Sequence, residues 1–223
     1  MQVIKHILFD NDGTIVDSEH LAVGLMLEML RAHGFEMHPD EYSRRFPGLL
    51  TKQILEIVEN EHGIELPGDF IPRLHDRHEE AFDRMLQPIP GMDDLFRQLR
   101  VPKSMVSNGS VLHVEKCLRR VNLLDALDGQ IFSAYQVEKP KPHPDVYLLA
   151  LETLKLHPHE TIVVEDSPAG VTAAKSAGLR VVGFLGAAHI ADGHDVQLQA
   201  AGADFLVQDA RALSTLFAGF QLI

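Results

Sequence analysis

Asp10, Asp12 and Asp17 fall within eight positions of one another in the stretch "HILFDNDGTIVDSEH", just where an apolar run ends. Carboxylates so crowded repel. Asp10 and Asp12, two residues apart in extended chain, project to one side and can face a common ligand, and such a pair needs a cation. Glu165 and Asp166 close a second apolar run, "TIVVED". Brought together, Asp10, Asp12, Glu165 and Asp166 make an all-oxygen site suited to Mg2+. No thiolate and no suitably spaced histidine pair accompanies these strands, which disfavours zinc. His75 and His78 have helical spacing in "RLHDRHEE", but the surrounding charge marks a solvated helix face.

A second group of residues suits phosphate. Ser107, Asn108 and Gly109 follow "KSMV" and precede the helical "VLHVEKCL". A hydroxyl with backbone N–H groups at such a junction makes a phosphate seat. Lys139 and Lys141 stand in the proline-stiffened loop "VEKPKPHPDVY", ahead of a helix expected to start near His143 or Pro144. A single lysine fixed there neutralises phosphate oxygens, and the spacing does not choose between the two.

These groups can meet only if the strand ends that carry them lie side by side. The runs "VIKHILF", "KSMVSN", "GQIFSA", "TIVVED", "LRVVGFL" and "ADFLVQD" alternate with helical segments. Their near-continuous apolar character predicts parallel strands covered on both faces, a doubly wound, Rossmann-like α/β sheet. In such sheets the reactive site lies at the carboxyl ends of the strands. Asp10, Ser107, Glu165 and Asp166 all stand at such ends.

Between Asp17 and Gln87 the apolar spacing turns helical. "LAVGLMLEMLRAHG" and "TKQILEIVENEHG" each stop at a glycine able to cap a helix. "LQPIPGM", with two prolines and a glycine, reads as a hinge back into the sheet. The expected organisation is an α/β core of residues 1–16 and 88–223, with a helical domain of residues 17–87 inserted after strand 1.

Composition narrows the function. The chain has 223 residues, 45% hydrophobic and 23% charged, which is ordinary globular composition. A net charge of -12 leaves no surplus of Lys and Arg to displace counterions from nucleic acid. No run reaches membrane-spanning length, and "MQVIKHILFD" lacks a signal-peptide pattern, so no membrane partner is expected. Cys117 is the only cysteine, which excludes an internal disulfide and predicts a cytoplasmic location. It reads as a semi-buried helix residue, because neither a His nor a helix start is evident beside it to make a reactive thiol.

Taken in order, "FDNDGTIVDS", "VSNG", "KPHPDVY" and "VVEDSPAGV" resemble the four sequential motifs of the haloacid dehalogenase-like (HAD) hydrolase superfamily. The resemblance is to its phosphatase and β-phosphoglucomutase-like branch with a helical cap, and it spans the whole chain. It implies Mg2+-dependent phosphoryl transfer to Asp10 as nucleophile, with Asp12 as acid and base. Lys141 would balance the charge of Asp10 and the phosphoryl group, and Ser107 would donate to a phosphoryl oxygen. Asp166, Asp10 and the Asp12 carbonyl would hold Mg2+, with Glu165 helping directly or through water. The implied substrate is a small phosphorylated metabolite of the sugar phosphate, sugar-acid phosphate or phosphoglycolate type, and the expected state is a monomer.

Gly48, in "RFPGLLTK", marks either a cap loop dipping toward the site or a turn connecting two helices, and Lys52 either meets an anionic leaving group or faces solvent. Arg45 is expected in solvent. Asp17 and Ser18 are expected to fix the turn into the cap by bonding backbone groups. The runner-up is a β-phosphoglucomutase-like mutase. It is disfavoured by Ala22 where that enzyme uses a cap histidine, although His20 lies nearby, and by Thr51 or Lys52 where it uses an arginine. A calcium loop of the EF-hand type fails because the downstream glutamate is misplaced. A phosphorylatable receiver domain has no need of a helical insertion, and Asp12 would hasten loss of its phosphoryl group.

Overall fold

Leu25, Met26, Met29 and Leu30 recur at helical spacing and are buried along α1 (Ser18–Arg31). The computed structural model describes residues 3–46, 49 and 51–223. They divide into two compact units, Ser18–Leu86 and Met1–Asp17 with Gln87–Ile223. In the first, α1 is followed by α2 (Pro39–Arg45), α3 (Thr51–His62) and α4 (Phe70–Met85). Gly34 and Gly63 follow α1 and α3 with φ of +85° and +62°, the left-handed conformation that ends a helix and that glycine adopts without strain. Phe35, Ile54, Leu55, Phe70 and Leu74 complete the core of this unit, each large side chain adding about 2 kcal/mol by leaving water. Arg45 is exposed, as expected, and there pairs with Glu61 and lies over the Phe46 ring.

All six strand expectations are met in the other unit: β1 (His6–Phe9), β2 (Lys103–Ser107), β3 (Ile131–Ser133), β4 (Thr161–Glu165), β5 (Arg180–Phe184) and β6 (Phe205–Val207). They form one parallel sheet in the order β3-β2-β1-β4-β5-β6. Between the strands run α5 (Met92–Gln98), α6 (Val111–Arg120), α7 (Asp145–Leu154), α8 (Pro168–Ser176) and α9 (His194–Ala200), and α10 (Ala210–Gly219) follows β6. Strand order reverses between β1 and β4, so their carboxyl ends flank the crevice where sheets of this kind bind ligands. Phe9 is paired with Val164, and the Asp10 N–H donates to the Val164 carbonyl at 3.0 Å. This register sets Asp10 beside Glu165.

The chain leaves and re-enters the sheet at one place. The Asp17 N–H donates to the Gln87 carbonyl (3.1 Å) and the Ile89 N–H to the Ile15 carbonyl (2.9 Å). Asp17, expected to fix this turn with its side chain, does so through its backbone. Among the described residues no helix is long and apolar enough to cross a membrane.

His6 lies at the opposite end of β1 from the crevice, 5% exposed, with Nε2 3.0 Å from Ser104 Oγ. Burial lowers its pKa to about 4, with Asp128 opposing and Lys103 assisting. Between that value and its ordinary one near 6.5, the unfolded chain binds a proton that the folded chain refuses. Stability from the neutral ring is therefore fully present above about pH 6.5 and is lost as pH falls toward 4, a change of about 3 kcal/mol. Urea unfolding of the wild type and His6→Gln should show the wild type losing that much more stability between neutral pH and about pH 4. Parallel pH profiles for the two proteins would show that His6 is not the source.

Candidate active site

β1 delivers Asp10 to the crevice, and the next residues turn sharply. The Asn11 carbonyl accepts from the Ile15 and Val16 N–H groups at 2.9 and 3.1 Å. Gly13 adopts φ +80°, and a Cβ on it would sit 2.1 Å from Asp166 Oδ2. Only glycine allows the first turn to approach the end of β4 so closely. Thr14 exploits that approach, its hydroxyl donating to Asp166 Oδ1 at 3.1 Å. His189 Nε2 lies 3.3 Å from Asp166 Oδ2, and His194 Nε2 lies 2.6 Å from the Asp166 carbonyl.

Lys141 is the centre of the arrangement. Its ammonium donates to Asp10 Oδ1 (2.6 Å), Glu165 Oε1 (2.6 Å) and the Val106 carbonyl (2.8 Å). Three donors meet three acceptors, so the buried charge is fully satisfied. Burial opposes the charge, but Asp10 and Glu165 outweigh it and hold the Lys141 pKa well above its ordinary value. Lys139, the other lysine of "KPKP", is exposed. α7 starts at Asp145 with Pro144 as its N-cap, next to the expected start near His143 or Pro144.

Glu165 is gripped from both sides. Ser167 donates to Oε2 through its N–H and its hydroxyl, each at 2.9 Å, while Lys141 occupies Oε1. A Cβ on Gly170 would lie 1.7 Å from Oε1, so glycine there gives the carboxylate its room. The Ser167 hydroxyl also accepts from the Gly170 N–H (3.0 Å), capping α8.

Asp10, Glu165 and Asp166 bring carboxylate oxygens within 4.8 Å of one another, a buried set that could hold a metal ion. Burial, reinforced by Glu165, Asp166 and Asp12, keeps the Asp10 carboxyl well above the usual carboxylate range against the pull of Lys141. One ammonium is thus too little charge for these acids, and an oxygen-only donor set with uncompensated charge fits a hard divalent cation.

Ser107 ends β2, and its hydroxyl accepts from the Gly109 N–H at 2.9 Å. Asn108 brackets the backbone of Lys141, accepting from its N–H (3.0 Å) and donating to its carbonyl (3.4 Å). Asn108, one of the residues expected to seat phosphate, is therefore joined directly to the lysine. Lys52 stands exposed on α3, 3.8 Å from Glu56, within the helical unit. Gly48 lies outside the described residues.

The Asp12 carboxylate reaches α6. Asp12 Oδ1 is 3.2 Å from His113 Nε2, and Cys117 Sγ is 3.6 Å from the same nitrogen. Hydrogen bonding to Asp12, then to Cys117, pushes the His113 pKa up to about 10. The expectation that Cys117 has no His beside it is corrected here. His113 precedes it by one helical turn, a spacing that stacks side chains on one face.

Thr14, His113, His189 and His194 were not among the expected site residues. Thr14 lies inside the first motif. His189 and His194 follow the carboxyl end of β5, so the strand-end rule that marked the acids reaches them too. For His113 the only sequence signal is its spacing from Cys117.

Residues 7–184 match the model of the family described as haloacid dehalogenase-like hydrolase. The chain is 31% identical over 191 residues to the 6-phosphogluconate phosphatase of Escherichia coli (strain K12), covering 85% of this chain and 86% of that protein. It is 29% identical over 220 residues to a phosphorylated carbohydrates phosphatase of Thermotoga maritima, covering 96% and 98%. A HAD family hydrolase from Deinococcus radiodurans R1, solved with bound phosphate and sodium, superposes with a TM-score of 0.90 at 27% identity, covering 100% of this chain and 99% of that one. With the motifs, the sheet order and the grouped acids, this match establishes that the chain belongs to the haloacid dehalogenase-like hydrolase family.

Proposed function

We propose that the protein is a Mg2+-dependent phosphatase that hydrolyses a small phosphorylated metabolite, of the sugar phosphate, sugar-acid phosphate or phosphoglycolate type, through a phosphoryl group carried on Asp10. The observation that carries this reading is Lys141 bonded at once to Asp10 and Glu165 inside a buried carboxylate set. A charge arrangement so deficient in cations suits a nucleophile that must meet a phosphate dianion. The named phosphatases of E. coli and T. maritima support the substrate class.

An Asp10 carboxylate oxygen attacks phosphorus as the bond from phosphorus to the leaving oxygen breaks, and Asp12 gives its proton to the departing alkoxide. Asp12 then takes a proton from the water that attacks the phosphoryl group, releasing inorganic phosphate and restoring Asp10. Ser107 donates to a phosphoryl oxygen, with Asn108 and Gly109 completing the seat. Lys141 offsets charge on Asp10 and the phosphoryl group, and Glu165 holds Lys141 in place while adding its charge to the metal-binding set. Asp10, Asp166 and the Asp12 main-chain carbonyl would hold Mg2+, which would supply positive charge between the two anions. The helical unit is proposed as a cap that selects the leaving group, with Gly48 and Lys52 as its candidate selectors. The enzyme is proposed to act as a monomer in the cytoplasm.

A phosphate-release screen across phosphorylated metabolites, with Mg2+ and with chelator, tests this reading. Release that requires Mg2+, and a quenched reaction carrying its phosphoryl adduct on Asp10 by mass spectrometry, are the expected results. An adduct on another residue overturns the assignment. Interconversion of sugar phosphates without net release would favour a mutase.

A further inference from the structure

Asp12, His113 and Cys117 form a second cluster of metal-ligating atoms whose chemistry differs from that of the acids around Asp10. One carboxylate oxygen, one imidazole nitrogen and one sulfur lie within 4.8 Å of one another. Asp12 Oδ1 and Cys117 Sγ both address His113 Nε2, at 3.2 and 3.6 Å. A single proton on that nitrogen can bond both only as a weaker, shared contact. A metal ion seated among the three atoms bonds all of them.

Two of the three ligand separations, those made by His113 Nε2, match one ion. Zinc bonds of about 2.0–2.1 Å to nitrogen and oxygen, and about 2.3 Å to sulfur, place tetrahedral ligands roughly 3.3 Å apart for oxygen and nitrogen and roughly 3.6 Å apart for nitrogen and sulfur. His113 and Cys117 project from one face of α6, whose first turn is fixed by the Ser110 hydroxyl accepting from the His113 N–H at 3.1 Å. Cys117 is 3% exposed, while the Asp12 and His113 side chains are 36% and 29% exposed. The ligand set is thus anchored on the helix and open on the Asp12 side, where an ion can enter and a water can fill the fourth position.

We propose that Asp12, His113 and Cys117 are a zinc site, and that zinc bound there arrests the hydrolase by pinning the Asp12 carboxylate. Cys117 binds as thiolate and His113 as neutral imidazole, their protons passing to solvent. Sulfur and imidazole prefer zinc to Mg2+, so millimolar Mg2+ does not displace it. The two ions also use different atoms of Asp12, zinc the carboxylate and Mg2+ the main-chain carbonyl. Only the inhibitory consequence rests on the reading of Asp12 as acid and base; the binding does not.

Cobalt(II) tests the binding, since its bond to a thiolate gives a near-ultraviolet charge-transfer band and Cys117 is the chain's only thiol. The wild-type protein with Mg2+ present should show that band, zinc should abolish it, and Cys117→Ser should lack it. Zinc should inhibit wild-type phosphate release, while Cys117→Ser, with its Mg2+-dependent activity unchanged, and His113→Gln should each need at least roughly tenfold more zinc for the same inhibition. His113→Gln and the wild-type band keep the test decisive should the serine variant fail to fold. No band in the wild type, or equal zinc inhibition of all three proteins, overturns the site. A band without inhibition supports the site and counts against the role given to Asp12.

Discussion

Lys141→Met should lose turnover and stability together. The lysine side chain is 3% exposed and that of Glu165 1%, so removing the ammonium takes from two buried carboxylates the cation they share. Methionine keeps the length and apolar stem, so the change is mainly one of charge. Breaking a buried ion pair by deleting one partner costs about 3–5 kcal/mol. Loss of a preorganised charge facing the phosphoryl group should lower kcat roughly 10^3-fold.

The stability loss should depend on pH. Without Lys141, nothing opposes the burial and mutual repulsion that already hold Asp10 above the usual carboxylate range. The folded variant then binds protons that its unfolded chain releases, so its stability falls as pH rises from about 4 through the elevated values. Urea unfolding should show a larger deficit from wild type at about pH 8 than at about pH 5. A deficit equal at both would mean that Lys141 acts through packing alone.

What could be read in the sequence was what lies on one element. The six strands were legible because parallel strands covered on both faces are apolar almost throughout, as in "TIVVE" and "RVVGF", both buried over most of their length. The strand-end acids were legible because the side of the sheet that binds ligands is fixed by topology. "KPKP" was symmetric to the eye, and only the fold shows Lys141 buried and Lys139 exposed. The choice is made by Asn108, which holds both backbone groups of Lys141 from 33 positions away.

The cluster of Asp12, His113 and Cys117 was illegible for the same reason. Its helical half is a four-residue spacing common on any amphipathic helix, and its other half arrives from a loop 101 positions earlier in the chain. In "VLHVEKCLRRV" Cys117 therefore read as a semi-buried helix residue and nothing more. Glu165 shows the subtler case: its place at the end of β4 was evident, but that both its oxygens are occupied by Lys141 and Ser167 depends on the capping of α8. Sequence position marks which strand end a group occupies, whereas its hydrogen-bond partners are set by the neighbouring loops.

Asp10→Asn should separate function from stability in a way that Lys141→Met cannot. The amide has no anionic oxygen to attack phosphorus, so phosphate release should fall by about 10^4-fold or more and the phosphoryl adduct should disappear. Yet the amide oxygen can still accept from Lys141 Nζ, and Glu165 remains paired to the same ammonium. The fold loses a charge that burial, Glu165, Asp166 and Asp12 disfavour more strongly than Lys141 favours it. A carboxyl raised above its unfolded value destabilises the native state increasingly as pH climbs beyond about 4, so the metal-free variant should be at least as stable as wild type at neutral pH, with the advantage vanishing in acid. Calorimetry in chelator, with phosphate release measured on the same preparations, checks both halves. A variant less stable than wild type at neutral pH would show that Asp10 is a net contributor to the fold, and the surplus negative charge would then have to be sought at Asp166.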